Sequence, residues 1–360
     1  MTKAILVTHS PPNTPSTVNG ATHRYLQLLT SLVELRIDVE IFTVGVGEIF
    51  DIDLEKLEHK LSSGLGGSGQ KTHSSLRNLK LSMSKLGPND LLIIDQPFVW
   101  PHIHSVSTPA KLIYSSHNYE SDVSLQLSRI FGFNQEYFLK WRNVHKSELD
   151  LLQRSRLVIS CSEEDRLKFL SSAHCYVINV PNDFQETEMT HSEKRLSNEW
   201  VYVSSDWIAN WISLPLLVDP DALIKNNIYL SLVGKCVSAL EQDYRGRDWL
   251  KACGSSIRRI GPVDSSDLDR ILRESYGTLI PILLGGGSNL KLAEALKYRH
   301  RIISTSFGVR GRSELTNVKL ANSRETFSQY LSKAESLLPA FEKSCVGSTM
   351  QGAFNFALNT

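Results

Sequence analysis

The sequence predicts an α/β protein made of two Rossmann-like α/β/α domains. Three observations predict it. At 360 residues the chain is too long for one ordinary core and suits two. It opens with a short apolar run, a loop, a helical segment and a second apolar run, the start of a parallel sheet. The same alternation begins again after Glu186 to Glu199, a polar, charged stretch that reads as a linker. The expected division is 1–186, 198–340, and a terminal helix over 341–360.

Each element has its own signal. Ala4 to Thr8 is the first strand, and the run stops at His9, so it is read as a strand and not as a signal peptide. Ala21 to Leu35 places Tyr25, Leu28, Leu29 and Leu32 at helical spacing. Val39 to Val44, Leu91 to Asp95, Leu112 to Ser115, Leu157 to Ser160 and Tyr176 to Val180 are further strands. Asn134 to Arg154 is a long helix. In the second half, Val201 to Ser204, Ile228 to Gly234, Ile257 to Ile260 and Ile302 to Ser304 read as strands. Ile212 to Leu223, Ser266 to Glu274, Glu325 to Leu338 and Ala340 to Leu358 read as helices.

Composition removes several functions. Hydrophobic content of 41% and charged content of 21% are ordinary for a globular protein. A formal net charge of +1 gives no reason to expect nucleic acid as a partner. Cys161, Cys175, Cys236, Cys253 and Cys345 are scattered, odd in number and without Cys-x-x-Cys pairs. That argues against a disulfide framework or zinc site and fits a reducing compartment. No apolar run is long enough to span a bilayer. The first turn lacks Gly-x-Gly-x-x-Gly, so a dinucleotide cofactor is not expected there. Around the Gly/Ser-rich patch Ser62 to Gly69 lie Lys56, Lys60, Lys71, Arg77, Lys80 and Lys85. This segment reads first as a solvated face beside a loop, and second as an amphipathic helix on anionic lipid.

The chemistry concentrates in Pro281 to Thr305. An apolar run, Leu279 to Leu284, ends in Gly285, Gly286 and Gly287. Ser288-Asn289 and a helical segment follow. Glycines let backbone approach a ligand closely, and Ser288 or Asn289 can cap the helix. Unpaired amides at a helix start, with its dipole, favour phosphate, and Lys291 adds a full charge. Glu294 shares a helix face with Lys291. A carboxylate beside a phosphate site suits a ribose diol, which can donate two hydrogen bonds to it. Leu292, Ala295 and Leu296 face the sheet. The stretch therefore reads as a site for a nucleoside diphosphate. The plain alternative is a tight turn, a capped helix and a surface Lys/Glu pair.

The order Gly-Gly-Gly-Ser-Asn-x-Lys-x-x-Glu-Ala-Leu, then a strand and Ser-Thr-x-x-Gly-x-x-Gly from Ser304 to Gly311, resembles the nucleotide-binding half of retaining GT-B glycosyltransferases, most closely the family 4 group. The resemblance implies an acceptor-binding and a sugar-nucleotide-binding domain facing across a cleft, with a terminal helix returning to the first domain. It implies transfer of a sugar from a nucleotide-diphosphate sugar to a hydroxyl, with retention; no metal is expected, since protein cations can suffice and no carboxylate cluster suggests one. The acceptor would be a glycan, a lipid-linked species or a small molecule, in glycan or polysaccharide assembly. The expected setting is cytoplasmic, with peripheral contact at the inner face of a membrane. His117, in Ser-His-Asn-Tyr-Glu after a strand, corresponds to a His that contacts the donor sugar. Gly20 keeps half of a Gly-Gly pair that approaches the donor phosphates or the acceptor. Gly285 to Asn289, Lys291 and Glu294 would hold the nucleotide, with Lys291 stabilising the leaving diphosphate.

Two departures stand out. Gly286 occupies the place of an acid, eight residues before Glu294. And Val201 to Leu223 holds no Arg or Lys where relatives present both to the diphosphate. Lys235 and Arg310 are substitutes, each otherwise a surface charge. The departures keep a second reading open, a non-catalytic homologue that binds a sugar nucleotide or a partner. A third reading, an epimerase, lacks evident acid/base carboxylates.

Overall fold

The computed structural model describes residues 2–8, 20–43, 72–73, 76–130, 132, 135–181, 198–312, 315–342 and 349–360. The polar linker up to residue 197, the loop 9–19 and the basic segment 51–71 lie outside them. The chain forms two compact units. One holds Met1–Asn182, Gly286–Ser288 and Val346–Thr360; the other holds Asp183–Gly285 and Asn289–Cys345.

The first unit is built on β1 (Lys3–Thr8), β2 (Asp38–Thr43), β3 (Thr72–His73), β4 (Leu91–Asp95), β5 (Lys111–Ser115), β6 (Leu157–Ser160) and β7 (Tyr176–Asn179). Their order is β3-β2-β1-β4-β5-β6-β7, and every pairing is parallel. Every residue of β4 and β6 is buried, as expected for strands covered on both faces. On one face lie Tyr25, Leu28 and Leu32 of the Gly20–Glu34 helix, with Met350, Ala353, Phe354 and Ala357 of the Met350–Asn359 helix. On the other lie Leu79, Met83, Leu151, Leu152 and Phe169. Lys111 Nζ donates to Ala357 O at 3.1 Å and Leu358 O at 2.7 Å, satisfying carbonyls at the end of the terminal helix.

The second unit repeats the plan. Its strands are β8 (Glu199–Val203), β9 (Tyr229–Val233), β10 (Ile257–Gly261), β11 (Gly277–Ile280), β12 (Arg301–Ser304), β13 (Leu315–Thr316), β14 (Lys319–Leu320) and β15 (Phe341–Glu342). The main sheet runs β10-β9-β8-β11-β12-β14, again parallel. Both sheets thus carry the doubly wound order that reverses next to the first strand. Ligands of such sheets bind outside the carboxyl ends at that reversal. It lies between β1 and β4 in one unit and between β8 and β11 in the other.

Several elements differ from the expectation for physical reasons. The single helix over Ile212 to Leu223 is three short ones, Ile208–Trp211, Leu214–Leu217 and Pro220–Lys225. Pro215 and Pro220 stand in the first turns of the latter two, where a missing N–H is harmless, and each ends the helix before it. The helix expected from 341 is shorter. Phe341–Glu342 is a strand paired antiparallel with β13, and the helix starts at Met350, capped by Thr349. The helix expected to reach Leu338 stops at Leu331.

Candidate functional site

In the second unit the site grows from the end of β11. The strand stops at Ile280, and Pro281 to Leu284 continues as irregular chain. Gly285 then takes φ +118°, and a Cβ there would lie 3.0 Å from Arg310 Nη2 and 3.4 Å from the Trp207 ring. The conformation favours glycine, and a Cβ would also press on the Arg310 guanidinium. Asn289 is the N-cap of the Leu290–Lys297 helix, its side chain accepting from Lys291 N at 3.2 Å. Its Nδ2 donates to Gly308 O at 2.7 Å, and its N–H to Arg310 O at 3.4 Å. The cap is thereby fixed to the loop that follows β12. In that loop Gly308 donates to Thr305 Oγ1 at 2.8 Å, and a Cβ on Gly308 would lie 2.3 Å from Ser304 Oγ. The Ser-Thr-x-x-Gly run is a packing device that holds Arg310 against the helix start.

Two cations meet here. Lys291 is half-buried, and its Nζ donates to Asn210 Oδ1 at 2.8 Å. Asn210 in turn donates to Ser205 Oγ at 2.8 Å. Burial lowers the Lys291 ammonium to about 8, the nearby Arg310 charge adds to this, and Glu294 opposes it. Arg310 is also half-buried, lies over the Phe307 ring at 4.5 Å and donates to Phe307 O at 2.9 Å. Glu294 is raised by burial and held back by Lys291 and Lys297. By contrast Lys235 is exposed. The cluster can hold an anion against a capped helix start, with a carboxylate one turn further on.

Gly286, Gly287 and Ser288 group with the first unit. There Gly287 N–H donates to Asp165 Oδ2 at 2.7 Å, so this amide already carries a carboxylate.

The first unit has a different site. His117 lies just beyond β5, and its Nε2 is 2.6 Å from Asp95 Oδ1 at the end of β4. Asp95 is buried, and its other oxygen accepts from Thr8 Oγ1, at the end of β1, at 2.8 Å. An ionised Asp95 requires the proton on Nε2, which sets the tautomer. Arg24, fully buried, donates to Val180 O at 2.8 Å and to Ile159 O and Ser160 O at 3.3 Å. It ties the first helix, which Gly20 begins, to the ends of the neighbouring strands. Gln96, the next residue after Asp95, is 7% exposed with φ 88° and ψ 152°. Its Oε1 is buried without a hydrogen-bond partner among the described residues. That backbone region is strained for any residue but glycine. Below His117, Glu148 accepts from Tyr114 Oη, Glu120 N, Ser121 N and Ser121 Oγ at 2.6–2.9 Å. It serves as the cap of the Glu120–Ile130 helix, supplied from the neighbouring helix. Burial raises Glu120 to about 8, with the Glu148 charge adding to it, and raises Glu148 to about 7 against its hydrogen bonds.

Sequence reasoning missed Asp95 and Gln96, and it gave Arg310 only as a substitute cation. The available signal for Asp95 was its place at the end of a buried strand, the position in which His117 attracted notice.

The sequence matches no protein-family model and no curated protein. Solved structures do resemble the chain. Staphylococcus aureus TarM, in a complex with fondaparinux, alpha-GlcNAc-glycerol and UDP, aligns with TM-score 0.64 at 9% identity, over 100% of this chain and 96% of that one. Anabaena HepE, in complex with UDP, aligns with TM-score 0.59 at 12% identity, over 99% and 95%. Sucrose-phosphate synthase from Thermosynechococcus elongatus aligns with TM-score 0.60 at 13% identity, over 99% and 94%. At these identities the likeness is one of architecture: two Rossmann-like domains with parallel sheets, matching the structures of GT-B glycosyltransferases.

Proposed function

We propose that the protein is a glycosyltransferase that moves a sugar from a nucleotide-diphosphate sugar to an acceptor hydroxyl, in glycan or polysaccharide assembly. The observation that carries the proposal is the half-buried Lys291 ammonium at the start of a capped helix, beside Gly285 and Arg310. The complexes of TarM and HepE with UDP support a uridine diphosphate donor.

In the reaction the bond from the sugar C1 to the diphosphate oxygen breaks, and its electron pair stays on the diphosphate. The acceptor oxygen bonds to C1, and its proton passes to a phosphate oxygen. Retention follows from this front-face reading, which the sequence resemblance suggests. Catalysis then consists of stabilising charge on the leaving group, and protein cations provide the counter-charge. Glu294 accepts hydrogen bonds from the ribose. His117, held by Asp95, contacts the donor sugar. Gly20, at the start of the first helix, lets the chain approach the donor.

The test is a thermal-shift panel with UDP, GDP, dTDP, ADP and CMP on wild type and Lys291→Ala, followed by turnover of the matching sugar nucleotide. A ligand at about a hundred times its Kd adds ~2.7 kcal/mol of stability. Stabilisation of wild type by one diphosphate, lost in Lys291→Ala, and release of that diphosphate during turnover are expected. Binding without turnover on any acceptor or water would instead favour a non-catalytic homologue. Full activity in Lys291→Ala would end the assignment.

A further inference from the structure

The loop after β8 holds no cation. From Val201 to Leu223 the chain has no Arg or Lys. At the end of that strand stand Ser204, Ser205, Asp206 and Trp207, and Asn210 lies in the next turn. Asn210 is occupied by Lys291 Nζ on one side and Ser205 Oγ on the other. A lone half-buried ammonium is a weak counter-charge for two phosphates.

Arg310 reaches the same place from the other side. Its backbone carbonyl accepts the Asn289 N–H at the helix cap, and its Nη2 sits where a Cβ of Gly285 would be 3.0 Å away. Its guanidinium lies over the Phe307 ring, and Nη1 is fixed on Phe307 O. The guanidinium is thus positioned by the packed loop 304–311, not left to move in solvent. Burial, and after it the Arg310 charge, lowers the Lys291 ammonium, as expected of two cations near each other. Two like charges brought together out of water are unfavourable unless an anion joins them. A planar guanidinium also offers paired donors that match phosphate oxygens.

We propose that Arg310 is the second cation of the diphosphate site, acting with Lys291 in place of the basic residues that the Val201–Leu223 segment lacks. Lys291 and the helix start take one phosphate, and Arg310 takes the other. The proposal rests on the sugar-nucleotide reading and specifies which side chains discriminate a diphosphate from a monophosphate.

The experiment is calorimetric titration of the full chain with UDP, GDP, ADP, dTDP and CDP and with the matching monophosphates. Wild type, Arg310→Gln, Arg310→Lys and the exposed control Lys235→Gln are compared. For the base that binds, Arg310→Gln should weaken the diphosphate by ~10- to 100-fold, the range for a hydrogen bond to a charged group. The monophosphate should change by less than about threefold. Arg310→Lys should recover part of the loss, and Lys235→Gln should match wild type. An unchanged ratio of diphosphate to monophosphate affinity in Arg310→Gln would overturn the role of Arg310 and leave the sugar-nucleotide reading intact. An equal loss for both nucleotides would also overturn it, since that marks a general disturbance of the loop. If no diphosphate binds wild type, the sugar-nucleotide reading falls, and this inference with it.

Discussion

The two units share a strand order but place opposite chemistry at its reversal. Beyond β8, β11 and β12 the second unit gathers Lys291 and Arg310, and beside them Gly285 departs from ordinary backbone at φ +118°. Beyond β1, β4 and β5 the first unit gathers Thr8, Asp95 and His117, and its departure is a non-glycine residue, Gln96 at φ 88°. One end is a pair of cations beside a capped helix start. The other is a buried carboxylate that fixes an imidazole. The same topology supplies the position in both cases, and the side chains after each strand supply the sign of the charge.

The strongest way to break the contrast is at the cation pair. Lys291→Ala should lower transfer by ~10²- to 10³-fold, the cost of removing one donor to a developing anion. It should leave the folded state intact, because the ammonium is half-buried and bonded to a neutral amide. Rates with the cognate sugar nucleotide, beside a melting curve, check both halves. A mutant that loses activity only by unfolding would make Lys291 structural. In the first unit Asp95→Asn should cost ~10- to 100-fold in rate, as for a hydrogen bond to a charged group. It should leave diphosphate affinity unchanged, since Asp95 accepts from Thr8 and is bonded to His117, at the carboxyl end of the first sheet. The split between rate and nucleotide affinity is the readout. Nitrogen NMR shifts of His117 report its tautomer directly.

The carboxyl pair beneath His117 gives a pH test that the two cations do not share. Glu120 is raised to about 8 and Glu148 to about 7, both above the ordinary carboxyl value of 4.5. Between pH ~4.5 and 8 the folded state therefore binds more protons than the unfolded chain. Stability contributed by these groups is present at the acid end and falls as pH rises through 7 and 8. Glu120→Gln keeps the shape and cannot ionise. It should flatten that fall by on the order of 1 kcal/mol or more between pH 5 and 8, measured by denaturant melts. Equal slopes for wild type and variant would mean that Glu120 is ionised throughout.

How much of this was legible follows from where the information lies. Strands such as β4 and β6 are buried on both faces and read as short apolar runs. The Leu290–Lys297 helix announced itself through Gly285 and the Asn289 cap. The Glu120–Ile130 helix did not, because its buried residues are Glu120, Ser121, Val123, Ser124 and Ser128, and only one of them is apolar. Its periodicity is carried by small and hydrogen-bonded groups that no hydropathy pattern shows. Asp95 and His117 are 22 residues apart. They meet because β4 pairs with β5 in a register that sets Asp95 beside Ser115. Strand order and register are long-range facts, and a linear reading does not contain them. Arg310 was ambiguous for the same reason: its bond to the Asn289 cap and its closeness to Gly285 are made through the folded loop after β12.

The smallest expected effect sharpens the contrast most. At the reversal of the second unit a positive φ falls on Gly285, which has no side chain to contribute. At that of the first it belongs to Gln96, whose side chain is buried, with Oε1 lacking a hydrogen-bond partner among the described residues. Strain of ~1–3 kcal/mol in such a conformation persists only where something needs that residue. Glycine would relieve the strain at a cost of roughly 0.5–1 kcal/mol in chain entropy. Gln96→Gly should therefore raise Tm by a few degrees, at ~2–4 °C per kcal/mol, while transfer to the acceptor falls. Gly285→Ala makes the opposite change, adding a Cβ at φ +118°, and should lower Tm. If Gln96→Gly lowers Tm instead, the side chain is holding the fold together. The difference between the two reversals would then be one of packing, not of ligand chemistry.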